Sequence, residues 1–262
     1  MKAARSDGVT AWFEVGRGSP IVLIHGLADD HRAWRSVLPN LVLKHRVILY
    51  DLRGHGESDL GRGDGTLRQL SDDLIALLDV VGVDQAVLGG FSLGGTVAMR
   101  AAIDRPERVR GLSLIATSSR VGRAAAEWYA ERAAMVEAGD PQLRAVLDQD
   151  TADVYRAAPD ELEAGLLIRR QSTADPCGYA NACRAMASLR AAPLDLELER
   201  IAVPTTILAG ELDQHCPPRA AEIISAAIPR ATVEILPGCG HALPLEAPGV
   251  VAAAIMAASD RS

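Results

Sequence analysis

Short apolar runs bounded by glycine, proline or aspartate recur along this 262-residue chain, with helical patterns between them. Ile21–Ile24, Val47–Tyr50, Ala86–Gly89, Leu112–Ile115, Thr205–Leu208 and Val233–Leu236 are each too short for a helix and read as buried strands. Such runs suit strands covered on both faces, and parallel strands need a crossover between them. The crossovers are readable. Leu67, Leu70, Leu74, Leu77, Leu78 and Val81 share one helical face, with Thr66 and Gln69 spaced as a capping box at its start. Ser92–Ile103, Pro217–Ile228 and Leu245–Ala258 complete the set. The expected fold is α/β, a mostly parallel sheet with helices on both faces. Thr10–Val15, turning through Gly16-Arg17-Gly18, is expected to be an antiparallel edge strand.

The alternation fails once. Between Arg120 and Asp195 no strand pattern appears; helical stretches at 124–138, 142–157, 160–171 and 178–189 are punctuated by Gly139-Asp140-Pro141, Pro159 and Asp175-Pro176. The expected organisation is a core of residues 1–119 and 196–262, interrupted by a helical cap at 120–195.

Composition narrows the function. A net charge of −7 with interspersed signs gives no electrostatic reason to bind nucleic acid. Met1–Thr10 lacks the apolar stretch of a secretory signal. The longest apolar run, Val250–Ala258, is too short to span a bilayer, so no membrane association is expected. Cys177, Cys183, Cys216 and Cys239 form no CxxC pair and read as free thiols in a reducing cytoplasm. His31, His45 and His215 show no metal-ligand spacing, so no metal is expected. Nothing in the sequence settles whether the chain forms a homo-oligomer.

The chemistry centres on Gly90-Phe91-Ser92-Leu93-Gly94, a G-x-S-x-G segment between an expected strand and an expected helix. A serine there sits on a tight turn at the carboxyl edge of the sheet, beside the positive end of the following helix. Serine is a weak nucleophile until a base takes its proton. His241, between the last strand and the last helix, is the candidate base. Asp213, after the preceding strand, is the candidate for fixing the histidine tautomer, with Glu211 as its rival. The order Ser…Asp…His is the one used on such a sheet. The oxyanion donors are expected to be the backbone N–H groups of Leu93 and, in His25-Gly26-Leu27-Ala28, of Leu27. His25 reads as a histidine holding that loop, and Arg53-Gly54-His55-Gly56 as a structural loop. Trp128 is the candidate substrate contact on the first cap helix; for it, and for Tyr129 and Met135, packing of the cap is the alternative.

These residues resemble the α/β-hydrolase superfamily over nearly the whole chain. His25-Gly26 with Trp34 is similar to its oxyanion loop, Asp51–Ser58 to its D-x-R-G-x-G-x-S segment, and Gly90–Gly95 to its nucleophile elbow. Gly210–Asp213 and Gly240-His241 resemble its acid and histidine loops. Within the superfamily the chain is most similar to 3-oxoadipate enol-lactonase-like hydrolases and related bacterial esterases. The resemblance implies a cofactor-free serine hydrolase of a small carboxylic ester or lactone, working through an acyl-enzyme. Epoxide hydrolases and dehalogenases carry aspartate where this chain has Ser92, and the Gly-Pro-Gly common in C–C bond hydrolases is absent from Leu27-Ala28-Asp29-Asp30. C–C cleavage of a diketone-type acid remains an alternative, as does a metabolite receptor or lyase/cyclase on the same fold.

Overall fold

In the computed structural model, which describes residues 1–260, eight strands form one sheet in the order β1-β2-β4-β3-β5-β6-β7-β8. They are β1 (Lys2–Arg5), β2 (Gly8–Val15), β3 (Ser19–Ile24), β4 (His45–Tyr50), β5 (Ala86–Phe91), β6 (Val109–Ile115), β7 (Thr205–Gly210) and β8 (Ala231–Leu236). From β4 to β8 every neighbouring pair is parallel; β1 and β2 are antiparallel. The helices are α1 (Leu38–Leu41), α2 (Leu67–Val80), α3 (Leu93–Asp104), α4 (Arg123–Glu137), α5 (Leu143–Val154), α6 (Leu162–Ser172), α7 (Cys177–Ser188), α8 (Pro218–Ala227), α9 (Leu243–Glu246) and α10 (Pro248–Asp260). Among the described residues no helix is long and apolar enough to cross a membrane.

The apolar runs of the interior strands are strands because their side chains have a helix layer to meet on each face. Val22, Ile24, Ile48, Tyr50 and Leu88 pack on one face with α2, α3 and Ile224 of α8. Ile21, Leu23, Val47, Leu49 and Val87 pack on the other with Trp34, Leu41 and the Val251, Ala252, Ile255 and Ala258 stripe of α10. Alternate residues of one strand thus feed two cores, as a period of two requires.

Four sequence expectations need correction. Val233–Leu236, expected as a buried strand, lies in the edge strand β8, where Val233, Glu234 and Ile235 are exposed. Thr10–Val15 lies within β2 and is antiparallel, but it is not the edge: β1 pairs outside it through a hairpin, Lys2 opposite Ala11 and Arg5 opposite Gly8. Lys-Ala-Ala-Arg carries no β-branched or aromatic residue, so nothing in its composition marks a strand. The last helix is two: Ala247 takes φ −140° and Pro248 starts α10 afresh, since proline suits a first turn and not a helix interior. The capping box at α2 is half formed. Thr66 Oγ1 accepts from Gln69 N at 3.1 Å, but Gln69 Oε1 accepts from Asp64 N at 3.0 Å rather than from Thr66.

Helices α4–α7 stand between β6 and β7, where the sequence showed no strand. Their own apolar cluster (Leu147, Tyr179, Ala180 and Cys183) includes Ala28 from the loop after β3, so they pack over the carboxyl edge of the sheet. Below them, the Asp51–Ser58 loop is braced by Arg53. Its guanidinium forks onto Asp73 at 2.6 and 2.7 Å and reaches Asp7 at 2.7 Å and the Leu60 carbonyl at 2.9 Å. Arg53 is 5% exposed. We predict that Arg53→Met, which leaves buried Asp73 with only the more distant Arg5 at 3.8 Å, lowers unfolding free energy by about 3–5 kcal/mol. Urea denaturation measures this; a loss under about 1 kcal/mol would mean the network is not holding the loop.

Candidate active site

Ser92 joins β5 to α3 in a conformation that L-residues rarely adopt, φ 52° and ψ −120°. The turn is forced by close approach on both sides. A Cβ on Gly94 would lie 2.1 Å from the Ile24 carbonyl oxygen, and one on Gly90 would lie 2.4 Å from that of Gly94. The turn is pinned by Ser92 N donating to Ile115 O at 2.9 Å and by Thr117 Oγ1 donating to Ser92 O at 2.6 Å. Among the described residues the other non-glycine positions with positive φ are Ala28 at 65° and Ala116 at 47°, and they follow β3 and β6, the two strands flanking β5. Strain of this kind persists only where the surroundings over-determine it, and it gathers at functional sites.

His241 reaches the serine from the loop after β8. Its Nε2 is 3.1 Å from Ser92 Oγ and its Nδ1 2.7 Å from Asp213 Oδ2. The other Asp213 oxygen accepts from His215 N at 2.8 Å and Cys216 N at 2.9 Å. Burial pushes the Asp213 pKa up, but His241 and the two amides outweigh it, and the carboxyl sits below its ordinary value. An ionised Asp213 requires a proton on Nδ1 of His241, which leaves Nε2 as the acceptor for the Ser92 hydroxyl. The histidine loop is fixed by Glu246, which accepts from Gly240 N at 2.5 Å and Ala242 N at 2.8 Å, and by Leu212 N donating to Cys239 O at 2.8 Å. Glu211, the rival acid, is engaged elsewhere: it accepts from Gly238 N at 2.9 Å.

The structure brings the remaining candidates around this line. Leu93 N is the first amide of α3, and neither it nor Leu27 N hydrogen-bonds to any described group, so both are free to meet an acceptor. His25 is used up inside the protein: Nδ1–H donates to Gly26 O at 2.7 Å and Nε2 accepts from Leu52 N at 2.8 Å. A cavity of about 610 Å³ opens above Ser92 and His241. Leu27, Trp128 and Tyr129 line it, and Met135 does not. Trp128 stands edge-on to Tyr129, ring centres 5.0 Å apart, with the Arg132 guanidinium 4.8 Å from its ring.

Sequence reasoning missed two features of this cavity. His215 lines it, with its ring centre 5.0 Å from that of His241. Loss of water and the nearby His241 lower its pKa to about 4, so it faces the cavity as a neutral imidazole. Its place two residues after Asp213 was the available signal. Asp29 and Arg169 also line the cavity, 140 residues apart, and no local pattern could have paired them. Elsewhere the fold sets Asp30, His31 and Asp51 with potential ligand atoms within 4.8 Å of one another. Their donors are already engaged: Arg32 forks onto Asp30, and Asp51 accepts from His31 N, His31 Nδ1 and Glu57 N.

A family model described as the alpha/beta hydrolase fold matches residues 19–248. The dihydrolipoyllysine-residue acetyltransferase component of the acetoin cleaving system of Pseudomonas putida is 32% identical over 256 residues, 94% of this chain. The match spans 65% of that relative's length. The 3-oxoadipate enol-lactonase 1 of Acinetobacter baylyi is 32% identical over 195 residues, 74% of this chain and 71% of the relative. Among solved structures, a thermophilic esterase from Thermogutta terrifontis superposes with a TM-score of 0.85 at 30% identity, covering 98% of this chain and 96% of that one.

One buried histidine under the site gives a pH signature. His55 is 1% exposed; burial first, then the nearby His25, lower its pKa from 6.5 to about 3. The folded imidazole therefore refuses a proton that the unfolded one accepts between these values. Stability is full above 6.5 and falls as pH drops through that window. We predict that His55→Asn flattens the slope of unfolding free energy against pH between about 6.5 and 3. Urea titrations at a series of pH values read it, and an unchanged slope would refute the assignment.

Proposed function

Because the chain belongs to the α/β-hydrolase fold family, its residues 19–248 matching the family model, we propose that it is a serine hydrolase of small carboxylic esters or lactones. The observation that carries this reading is the unbroken line Asp213–His241–Ser92, at 2.7 and 3.1 Å, ending at a serine held in a strained turn. Similarity to an enol-lactonase and to an esterase supports the bond class. A cavity of about 610 Å³ beneath α4–α7 supports a small substrate, with residues 120–195 acting as a cap on the 1–119 and 196–262 core.

In this reading His241 Nε2 takes the Ser92 proton as Oγ attacks the ester carbonyl, and Asp213 stabilises the imidazolium that forms. The carbonyl oxygen gains a negative charge and is met by the Leu27 and Leu93 amides, which are fixed in advance and have no competing acceptor. Leu93 adds the positive end of the α3 dipole. His241 returns the proton to the leaving alcohol as the carbon–oxygen bond breaks. It then takes a proton from water, whose oxygen attacks the acyl-enzyme carbonyl, and gives that proton to Ser92 Oγ as the Oγ–acyl bond breaks and the acid leaves. No step calls on a cofactor or metal. Trp128 and the neutral His215 bound the cavity and supply contacts to the acyl or alcohol group.

We predict that wild type releases p-nitrophenol from short-chain p-nitrophenyl esters and that Ser92→Ala abolishes this release. Asp213→Asn is expected to lower kcat by about 10⁴, because the amide favours the wrong histidine tautomer. Glu211→Gln is expected to stay within a few-fold of wild type. Stopped-flow and steady-state assays test all three. A folded wild type that turns over neither esters nor lactones overturns the reading, as does Ser92→Ala that retains wild-type rates.

A further inference from the structure

The cap contributes several arginines to the wall of the catalytic cavity, and all but one of those described have well-formed partners. Arg170 forks onto Asp148 at 2.7 and 3.0 Å, Arg156 meets Asp153 at 2.8 Å, and Arg144 donates to the Thr173 carbonyl at 3.1 Å. Arg169 differs. Among the described residues the only hydrogen bonds of its guanidinium run from Nη1 to the two Asp29 oxygens at 3.4 and 3.5 Å, and neither the buried Nε nor Nη2 has a partner. Charge-assisted hydrogen bonds between such groups normally close to about 2.7–2.9 Å. The Asp29 carboxylate, in turn, accepts from no described group except Arg169. The two side chains are only 11% and 4% exposed, so water does little to satisfy them.

A largely buried guanidinium with its Nη2 unpartnered and a buried carboxylate with spare lone pairs are costly to leave so. Both line the cavity that holds Ser92. A group entering there relieves both ends if it accepts from one and donates to the other. The pair is net neutral, so a neutral group fits. An anion would satisfy Arg169 but meet Asp29 at close range. A planar carboxamide presents a carbonyl and an N–H side by side, matching the planar guanidinium edge and the adjacent carboxylate.

We propose that Arg169 and Asp29 form a polar subsite of the catalytic cavity that recognises a carboxamide on the substrate. This rests on the ester-hydrolase reading above. The subsite spans the two parts of the protein: Arg169 belongs to α6, and Asp29 lies two residues beyond Leu27 in the loop after β3. Ser172 of the same helix donates Oγ–H to Asp29 O at 2.5 Å, fixing the register between them.

The test uses p-nitrophenyl esters whose acyl chain ends in a carboxamide, in the isosteric methyl ketone, or in a carboxylate, at several chain lengths. For wild type, kcat/KM for the carboxamide is expected to exceed that for the ketone by about tenfold or more at the matching length. Arg169→Met is expected to bring that ratio close to one. Asp29→Asn removes the repulsion of an anion and is expected to raise the carboxylate-to-carboxamide ratio about tenfold. A wild type that prefers the carboxylate, or a carboxamide-to-ketone ratio unmoved by Arg169→Met, overturns the proposal. If none of the three esters is hydrolysed, the ester-hydrolase reading fails and the subsite is tested by binding. Calorimetric titration of Ser92→Ala with glutaramide and with glutarate is then compared with Ser92→Ala carrying Arg169→Met. Loss of glutaramide binding in the double variant sustains the subsite; equal binding removes it.

Discussion

The turn at Ser92 is the constraint on which the rest of the site depends. It keeps a non-glycine residue at φ 52°, a conformation that costs about 1–3 kcal/mol. The packing of α3 against β3 leaves the chain little alternative, because Gly94 sits where no Cβ would fit beside Ile24. The same turn leaves Ser92 Oγ outside the helix's own capping bonds and leaves the Leu93 amide without an acceptor. The proposed nucleophile and oxyanion donor are therefore two consequences of one backbone geometry.

Around that turn, each group of the candidate site is held by a neighbour outside the proposed triad. The two amides of His215 and Cys216 orient Asp213. Glu246 ties the backbone on both sides of His241. His25, fully engaged with Gly26 and Leu52, sets the loop that carries Leu27. Such second contacts matter because an error of about 1 Å in placing a catalytic group is costly in rate. The inserted helices reach the same loop through Ser172 and Arg169, and Gly56 N donates to Ser172 O at 3.1 Å. Helix α6 is therefore bonded to the loop that carries Leu27 and Asp29 and does not merely cover it.

Much of this was legible from the sequence, for reasons specific to each element. The interior strands β3, β4, β5, β6 and β7 announce themselves because burial on both faces demands apolar runs, whereas β8 is an edge strand whose Val233 and Ile235 are exposed. β1 did not, since an edge strand of lysine, alanine and arginine needs no such run. The break at Pro248 was missed because apolar periodicity runs across it, while the backbone at Ala247 departs from the helix. The inserted helices read as helices, but their weakly patterned surfaces gave no sign of which side chains would face the cavity.

The sequence by itself determined the fold class, the nucleophilic serine as candidate and the order of serine, acid and histidine, because these depend on local rules: strand length, small residues in a tight turn, and loops at strand ends. Only the tertiary structure decided between Asp213 and Glu211, which differ by two positions but point to His241 Nδ1 and to Gly238 N respectively. It alone placed His215 against His241, and Arg169 against Asp29 across 140 residues. Local patterns are written by neighbours in the chain, whereas the polarity of a cavity is set by side chains that meet only when the helices inserted after β6 close over the sheet.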